Sequence, residues 1–319
     1  MRKLAITTAA ALTALAAFSH AGGGYVFEGR WGRWGYGNGE FGHLHHVAVA
    51  SDGTVYVADP WRSRIQYFTS TGSFLGKWGK SGYGPGEFRA PFGVAVAPDG
   101  NVYVACTYMN RVQYFTSSGS FLGSWGPSGS EYGQFKMPGG IAVAPGGTVY
   151  VADTSNKRIL YFTLTGSFLG GWWPPGGGYP NDVAVAPDGN VYVAFPDSRI
   201  SYFTRTGSFL GGWGSAGSGP GQFSGPNGLA IAPGGRVFVT DGWPNCRVQY
   251  FTPTGRYRGE WGEPGKRSGQ FQNPSGIAFS TATGWLYVTD DTTFRVQYFR
   301  WSPPAVSPTS LGRVKALFK

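Results

Sequence analysis

Residues 88–126 read FRAPFGVAVAPDGNVYVACTYMNRVQYFTSSGSFLGSWG, and the same pattern returns along most of the chain. Its Val-Ala-Val-type core begins at Val47, Val94, Ile141, Val183, Leu229 and Ile277, so successive copies start 47, 47, 42, 46 and 48 residues apart. Self-similarity at such a period marks stacked supersecondary units. A unit of this size cannot bury its own apolar faces, so the copies must pack against one another.

Each copy carries four strand signals. In the quoted one they are Val94–Ala97, Val102–Ala105, Arg111–Phe115 and Ser120–Trp125. Alternation in Val102-Tyr103-Val104 and Val112-Gln113-Tyr114 gives the period of two that a pleated strand requires. The first segment alternates Val with Ala, and small residues suit a strand crowded near an axis. Tight turns such as Pro98-Asp99-Gly100 and Ser118-Gly119 join segments one to two and three to four. There Pro presets φ and Gly supplies a positive φ. The other connections are longer and vary between copies, and variable loops on a regular scaffold are where function usually sits.

The count of strands predicts how the chain closes. Segments one to three occur six times, but complete fourth segments follow only five copies, around Trp78, Trp125, Trp172, Trp213 and Trp261. The last copy runs into Trp301-Ser302-Pro303-Pro304, while Tyr25–Gly32 at the start is an orphan with the fourth-segment pattern. The N-terminal strand is therefore predicted to complete the last sheet, which protects its edge. The fold class expected is all-β: a six-bladed β-propeller with four-stranded blades, its ring closed by the N-terminal strand.

The stretch Pro-x-Gly-Val-Ala-Val-Ala-Pro-Asp-Gly-Asn-Val-Tyr-Val-Ala, followed by Asn-Arg-Val-Gln-Tyr-Phe, resembles the NHL repeat, and the resemblance spans roughly residues 25–300. It too implies a six-bladed propeller. WD40 and kelch repeats match less well, for the Trp-Asp endings and Gly-Gly strands are absent. Peptide-amidating lyases have a similar propeller that holds zinc through histidines from different blades. Here the three histidines after residue 21 (His43, His45 and His46) all fall in one blade, a departure from that pattern.

Gly contributes 54 of 319 residues, aromatics 17% and charged residues 13%, a turn-rich β composition. Residues 1–21 read as a signal peptide: basic Arg2 and Lys3, an uncharged apolar stretch Leu4–Phe18, then Ser19-His20-Ala21. The stretch is shorter than the ~20 residues of a membrane span. The net charge of +10 falls to +8 without Arg2 and Lys3, with no basic cluster inside the repeats. A Pro/Ser-rich linker (302–310) and a basic amphipathic tail (311–319) follow the propeller (22–301). Cys106 and Cys246 lie in copies two and five, on opposite sides of a six-membered ring, so both thiols are expected free.

Every copy opens its third segment with Arg: Arg64, Arg111, Arg158, Arg199, Arg247 and Arg295. Asp59, Asp153, Asp241 and Asp290 end the second segment in four copies, and an ion pair pinning the intervening loop is expected. Cys106 and Phe195 replace the other two, which leaves Arg111 for a ligand or for loop carbonyls; Asp197 is a substitute partner for Arg199. Trp61, Tyr108 and Trp243 stand at equivalent loop positions, suited either to stacking a ligand or to packing between blades. His46 and Asp182 stand where other copies have Gly93, Gly140, Gly228 and Gly276, so their side chains are expected near the central mouth.

The candidate ligand-binding set on the long-loop face is His45, His46, Trp61, Phe92, Tyr108, Arg111, Asn181, Asp182, Asn227 and Trp243. His43 and His45, two apart on one strand face, are the candidate metal ligands, for zinc or calcium. No phosphate loop, Gly-x-Ser-x-Gly elbow or usable glycosylation sequon occurs. The reading is a secreted or periplasmic monomer without a cofactor, binding a protein, peptide or extracellular glycan rather than nucleic acid. A metal-dependent lyase is the alternative.

Overall fold

The computed structural model describes residues 24–303. The leader and the C-terminal tail read from the sequence lie outside them, as does most of the linker. Six four-stranded antiparallel sheets form a ring. Blade 2 consists of Pro91–Val96, Val102–Cys106, Arg111–Phe115 and Phe121–Trp125, from the axis outward. Blades 1, 3, 4 and 5 repeat this order, with innermost strands Val47–Val49, Ile141–Val143, Asp182–Val185 and Pro226–Ile231. Blade 6 takes Pro274–Phe279, Trp285–Asp290 and Arg295–Ser302 from the end of the chain and Gly24–Trp31 from its beginning.

Closure is a long pairing. Gly24 sits opposite Ser302 and Trp31 opposite Val296, with a bulge between Phe27 and Gly29. The bulge lets the strand twist with the blade. Second strands are buried throughout, because they are covered on both faces by neighbouring blades.

Blades are joined by two repeated contacts. The second-strand tyrosine of one blade donates its hydroxyl to the turn between strands three and four of the next. Tyr56 reaches the Ser117 carbonyl at 3.0 Å, Tyr103 Leu164 at 3.1 Å, Tyr150 Arg205 at 2.9 Å, Tyr192 Pro253 at 2.9 Å and Tyr287 Ser70 at 2.9 Å. Each fourth-strand tryptophan lies flat over the glycine of that same turn. A Cβ on Gly119, held at φ +93°, would come within 2.6 Å of the Trp78 ring, so only glycine fits.

The exception falls where the chain ends meet. Blade 6 has no turn between its third and fourth strands, because those strands come from opposite ends of the chain. There the blade 5 tyrosine is replaced by Phe238, which needs no acceptor, and Trp261 stacks on Tyr25 at 4.6 Å instead of on glycine. The regular pattern breaks only where its partner is missing.

Candidate functional site: the long-loop face

Antiparallel order puts the loops between strands two and three, and those between blades, at one end of the ring. The tight hairpins occupy the other end. Five of the blade-to-blade loops fold back through Phe41, Phe88, Phe135, Phe223 and Phe271, all fully buried. Blade 4 has the shortest connection, with Gly177 at that position. Phe195, in place of the strand-end aspartate, is buried in one cluster with Trp172 and Phe203.

The Arg–Asp pairs pin these loops. Arg64 donates through Nε to Asp59 at 3.1 Å and through its two Nη groups to the carbonyls of Tyr36 and Glu40. Asp59 accepts in turn from the backbone N–H groups of Gly42 and His43. Arg158–Asp153, Arg247–Asp241 and Arg295–Asp290 repeat the pair at 2.8, 3.1 and 3.2 Å. Each pair is buried and charge-assisted on both sides, which fixes a loop that has little apolar content of its own. Arg199 pairs with Asp197 at 2.8 Å. Arg111 binds the carbonyls of Tyr83 and Gly84, both at 2.8 Å, and its Nε is buried without a partner. Beside it Cys106 is buried, and burial pushes its thiol up to about 12.

At the axis the ring is closed by one pair. His46 Nε2 lies 3.1 Å from Asp182 Oδ1, which joins blade 1 to blade 4 across the ring, and His46 Nδ1 lies 3.0 Å from the Val94 carbonyl of blade 2. Asp182 also accepts from the backbone N–H of Leu229 in blade 5 at 2.8 Å. A Cβ on Gly140 of blade 3 would collide with Asp182 at 2.2 Å, and one on Gly276 of blade 6 would sit 2.7 Å from the His46 backbone. The innermost strands of all six blades thus converge on this pair, and Gly140 and Gly276 leave room for it. Burial alone would lower the His46 pKa, but the charge and hydrogen bond of Asp182, with the Val94 carbonyl, hold it above its usual range. His46 and Asp182 are buried, satisfied by protein, and do not line an open mouth.

Around this closed axis the other candidates divide. His45 packs on Phe92 with ring centroids 4.3 Å apart, and Phe92 leads to Tyr108 at 6.4 Å. Burial, helped by the charges of His46 and His43, drives the His45 pKa down to about 3, so its ring is neutral. Asn181 donates to the Asn227 carbonyl at 3.0 Å and Asn227 to the Pro274 carbonyl at 3.2 Å, forming a chain between blades 4, 5 and 6. Trp61, Tyr108 and Trp243 are 69%, 59% and 75% exposed. The sequence reading missed their neighbours in the blade-to-blade loops: Trp34, Tyr36, Tyr83, Tyr132, Trp173 and Tyr179 are also exposed on this face. An aromatic standing before Phe41, Phe88 and Phe135, though not before Phe223 or Phe271, was the available signal.

The zinc that the lyase resemblance implies does not fit these residues. His43 Nε2 is 3.0 Å from Asp291 Oδ2 and its ring stacks on Trp61 at 5.2 Å. Among the described residues no three His, Cys, Asp or Glu side chains converge as metal ligands would. Both cysteines are free and buried, as their blades require.

These features define a six-bladed β-propeller whose blades are tied by tyrosine and tryptophan contacts and whose loops are pinned by Arg–Asp pairs. The NHL repeat family model matches residues 88–115, 135–162 and 223–251, in blades 2, 3 and 5. No curated protein sequence matches it. A streptogramin B lyase structure shares its fold at 15% identity and TM-score 0.60, over 87% of this chain and 98% of that one. So does a catalytically inactive virginiamycin B lyase from Staphylococcus aureus with quinupristin, at 16% identity and TM-score 0.58, over 83% and 85%. A gluconolactonase from Xanthomonas campestris overlaps at 16% identity and TM-score 0.63, over 92% and 94%. At such identities the likeness is one of fold.

Proposed function

We propose that this chain is an exported binding propeller that recognises a protein, peptide or glycan on its long-loop face. The observation that carries the reading is the distribution of exposed aromatics. Trp34, Tyr36, Trp61, Tyr83, Tyr108, Tyr132, Trp173, Tyr179 and Trp243 all lie in the loops of that face, whereas near the short turns the exposed aromatics among the described residues are Phe121, Phe168 and Phe209, which open fourth strands. The His46–Asp182 pair closes the axis, so contact is made across the loops rather than in a central cavity. Aromatic platforms of this kind give large contact area for little lost entropy. Export rests on the leader-like residues 1–21.

The test is a set of single replacements, Trp61→Ala, Tyr108→Ala and Trp243→Ala, assayed against a ligand found by screening peptides and cell-surface glycans. Each is expected to weaken binding by about 1–3 kcal/mol with the melting temperature unchanged. Intact affinity with a lowered melting temperature would make them packing residues instead.

One observation favours a second reading, catalysis on the same face. His45 carries a neutral imidazole whose Nδ1 has no partner, and lyase and lactonase structures share the fold. Turnover of a lactone or cyclic depsipeptide, abolished by His45→Gln, would support it.

A further inference from the structure

Above blade 6, where the two ends of the chain meet, an open cleft of about 460 Å³ lies between three loops and the closing strand. Its walls bring together Arg30 from that strand, Arg33 and Trp34 from the loop leaving the blade, Lys266 from the loop entering it, and Thr292 from the turn between strands two and three. Arg30, Lys266, Trp34 and Thr292 are exposed. At the position of Lys266 the preceding loops carry Tyr36, Tyr83, Ser130 and Ser218, and at the position of Arg30 blade 1 carries Lys77 while blades 2 to 5 carry Ser124, Gly171, Gly212 and Glu260. A basic residue on the closing strand is shared with blade 1, but only blade 6 sets it opposite a second one, Lys266.

The carboxylates nearby are already engaged. Asp290 is buried against Arg295, and Glu40 holds Arg33 at 2.7 Å together with the backbone N–H groups of Tyr36 and Gly37. Two pairs cancel, Asp291 is held by His43 and the Leu44 N–H, and neither Arg30 nor Lys266 has a carboxylate partner among the described residues. Arg30 makes only a 3.4 Å contact, to the Lys266 carbonyl across the cleft. Burial lowers the pKa of Arg295 despite the opposing charge of Asp290, and the nearby Arg30 adds a smaller push in the same direction.

We infer that this cleft binds an acidic sugar, a carboxylate- or sulfate-bearing residue of a glycan. This rests on the reading of the long-loop face as a binding face and names the ligand class for one part of it. Arg30 and Lys266 supply the charge-assisted contacts an anionic substituent needs. The Trp34 indole gives the stacking surface that a pyranose ring uses, and the Thr292 hydroxyl and Gln272 amide suit its hydroxyl groups. An acidic peptide satisfies the charges but not the paired stacking and hydroxyl chemistry.

The experiment titrates the propeller with oligogalacturonate, its methyl-esterified neutral form, a sulfated oligosaccharide, an acidic peptide and a single-stranded RNA. Either acidic sugar is expected to bind, with salt-dependent affinity, and the esterified form to bind at least tenfold more weakly. Arg30→Gln and Lys266→Gln should each weaken the acidic sugar about tenfold or more, whereas Arg205→Gln, an exposed arginine in a short turn of blade 4, should not. Unchanged affinity in the folded Arg30→Gln/Lys266→Gln double variant would overturn the assignment. So would equal binding of the esterified form, or tighter binding of the peptide or RNA. A neutral ligand that binds through Trp61 and Trp243 while both acidic sugars fail would refute this inference and leave the binding-face reading standing. Failure of every ligand class would sink both.

Discussion

Replacing His45 by glutamine should flatten the acid sensitivity of folding. The His45 ring is packed on Phe92, its Nδ1 is unpartnered, and its pKa is driven from the usual 6.5 to about 3. Between pH 7 and pH 5 the unfolded chain protonates this histidine and the folded one does not. The unfolded state then binds more protons, so stability falls as the pH falls. Integrated over that interval the loss is up to about 2 kcal/mol. His46 acts in the opposite sense: its pKa is raised in the fold, so its contribution is full in acid and is lost as the pH rises through the folded value. Urea unfolding of the wild type and of His45→Gln at pH 7 and pH 5 isolates the His45 part, because other groups titrate alike in both proteins. The difference in pH dependence should approach 2 kcal/mol. Identical dependence in the two proteins would mean that His45 titrates normally and its pocket is wet.

Other outcomes follow from the same geometry. Deleting Tyr25–Gly32 removes the outer strand of blade 6 and the stacking of Tyr25 on Trp261, and should leave an aggregating, strongly destabilised protein; a normal melting curve would refute the closure. Tyr103→Phe should cost about 1 kcal/mol in chemical denaturation by leaving the Leu164 carbonyl without its bond. Asp182→Asn leaves the buried His46 without its counter-charge, and its pKa, followed by NMR titration, should fall below the wild-type value. Lys157→Asn should be neutral to slightly stabilising in thermal melts, since Lys157 sits at φ +57°, where Asn110 of blade 2 already sits at φ +52°.

The repeat made the architecture legible. The spacing of Val-Ala-Val cores gave the blade number, and the orphan Tyr25–Gly32 gave the closure, because both are properties of sequence order. The Arg–Asp pairs were legible for the same reason: their members lie five or six residues apart at the two ends of one hairpin. The axial pair was only half legible. Two side chains in a column of glycines marked His46 and Asp182 as unusual, but their union depends on blades 1 and 4 facing each other, 136 residues apart. That distance is set by the ring and by no local pattern. The seam cleft could not be read at all, since Arg30 and Lys266 come from opposite ends of the chain and meet only after closure.

The account stands on the long-loop face as the binding surface around a closed axis. Its most direct test is to probe one array of peptides and cell-surface glycans with the wild-type propeller and with the Trp61→Ala/Tyr108→Ala/Trp243→Ala variant, both shown to melt alike. Signals present for the wild type, apart from acidic sugars held through Arg30 and Lys266, should be lost or reduced by more than tenfold in the variant. A ligand held equally by both, and displaced instead by replacements at the Pro98-Asp99-Gly100 end or at the His46–Asp182 axis, would contradict it.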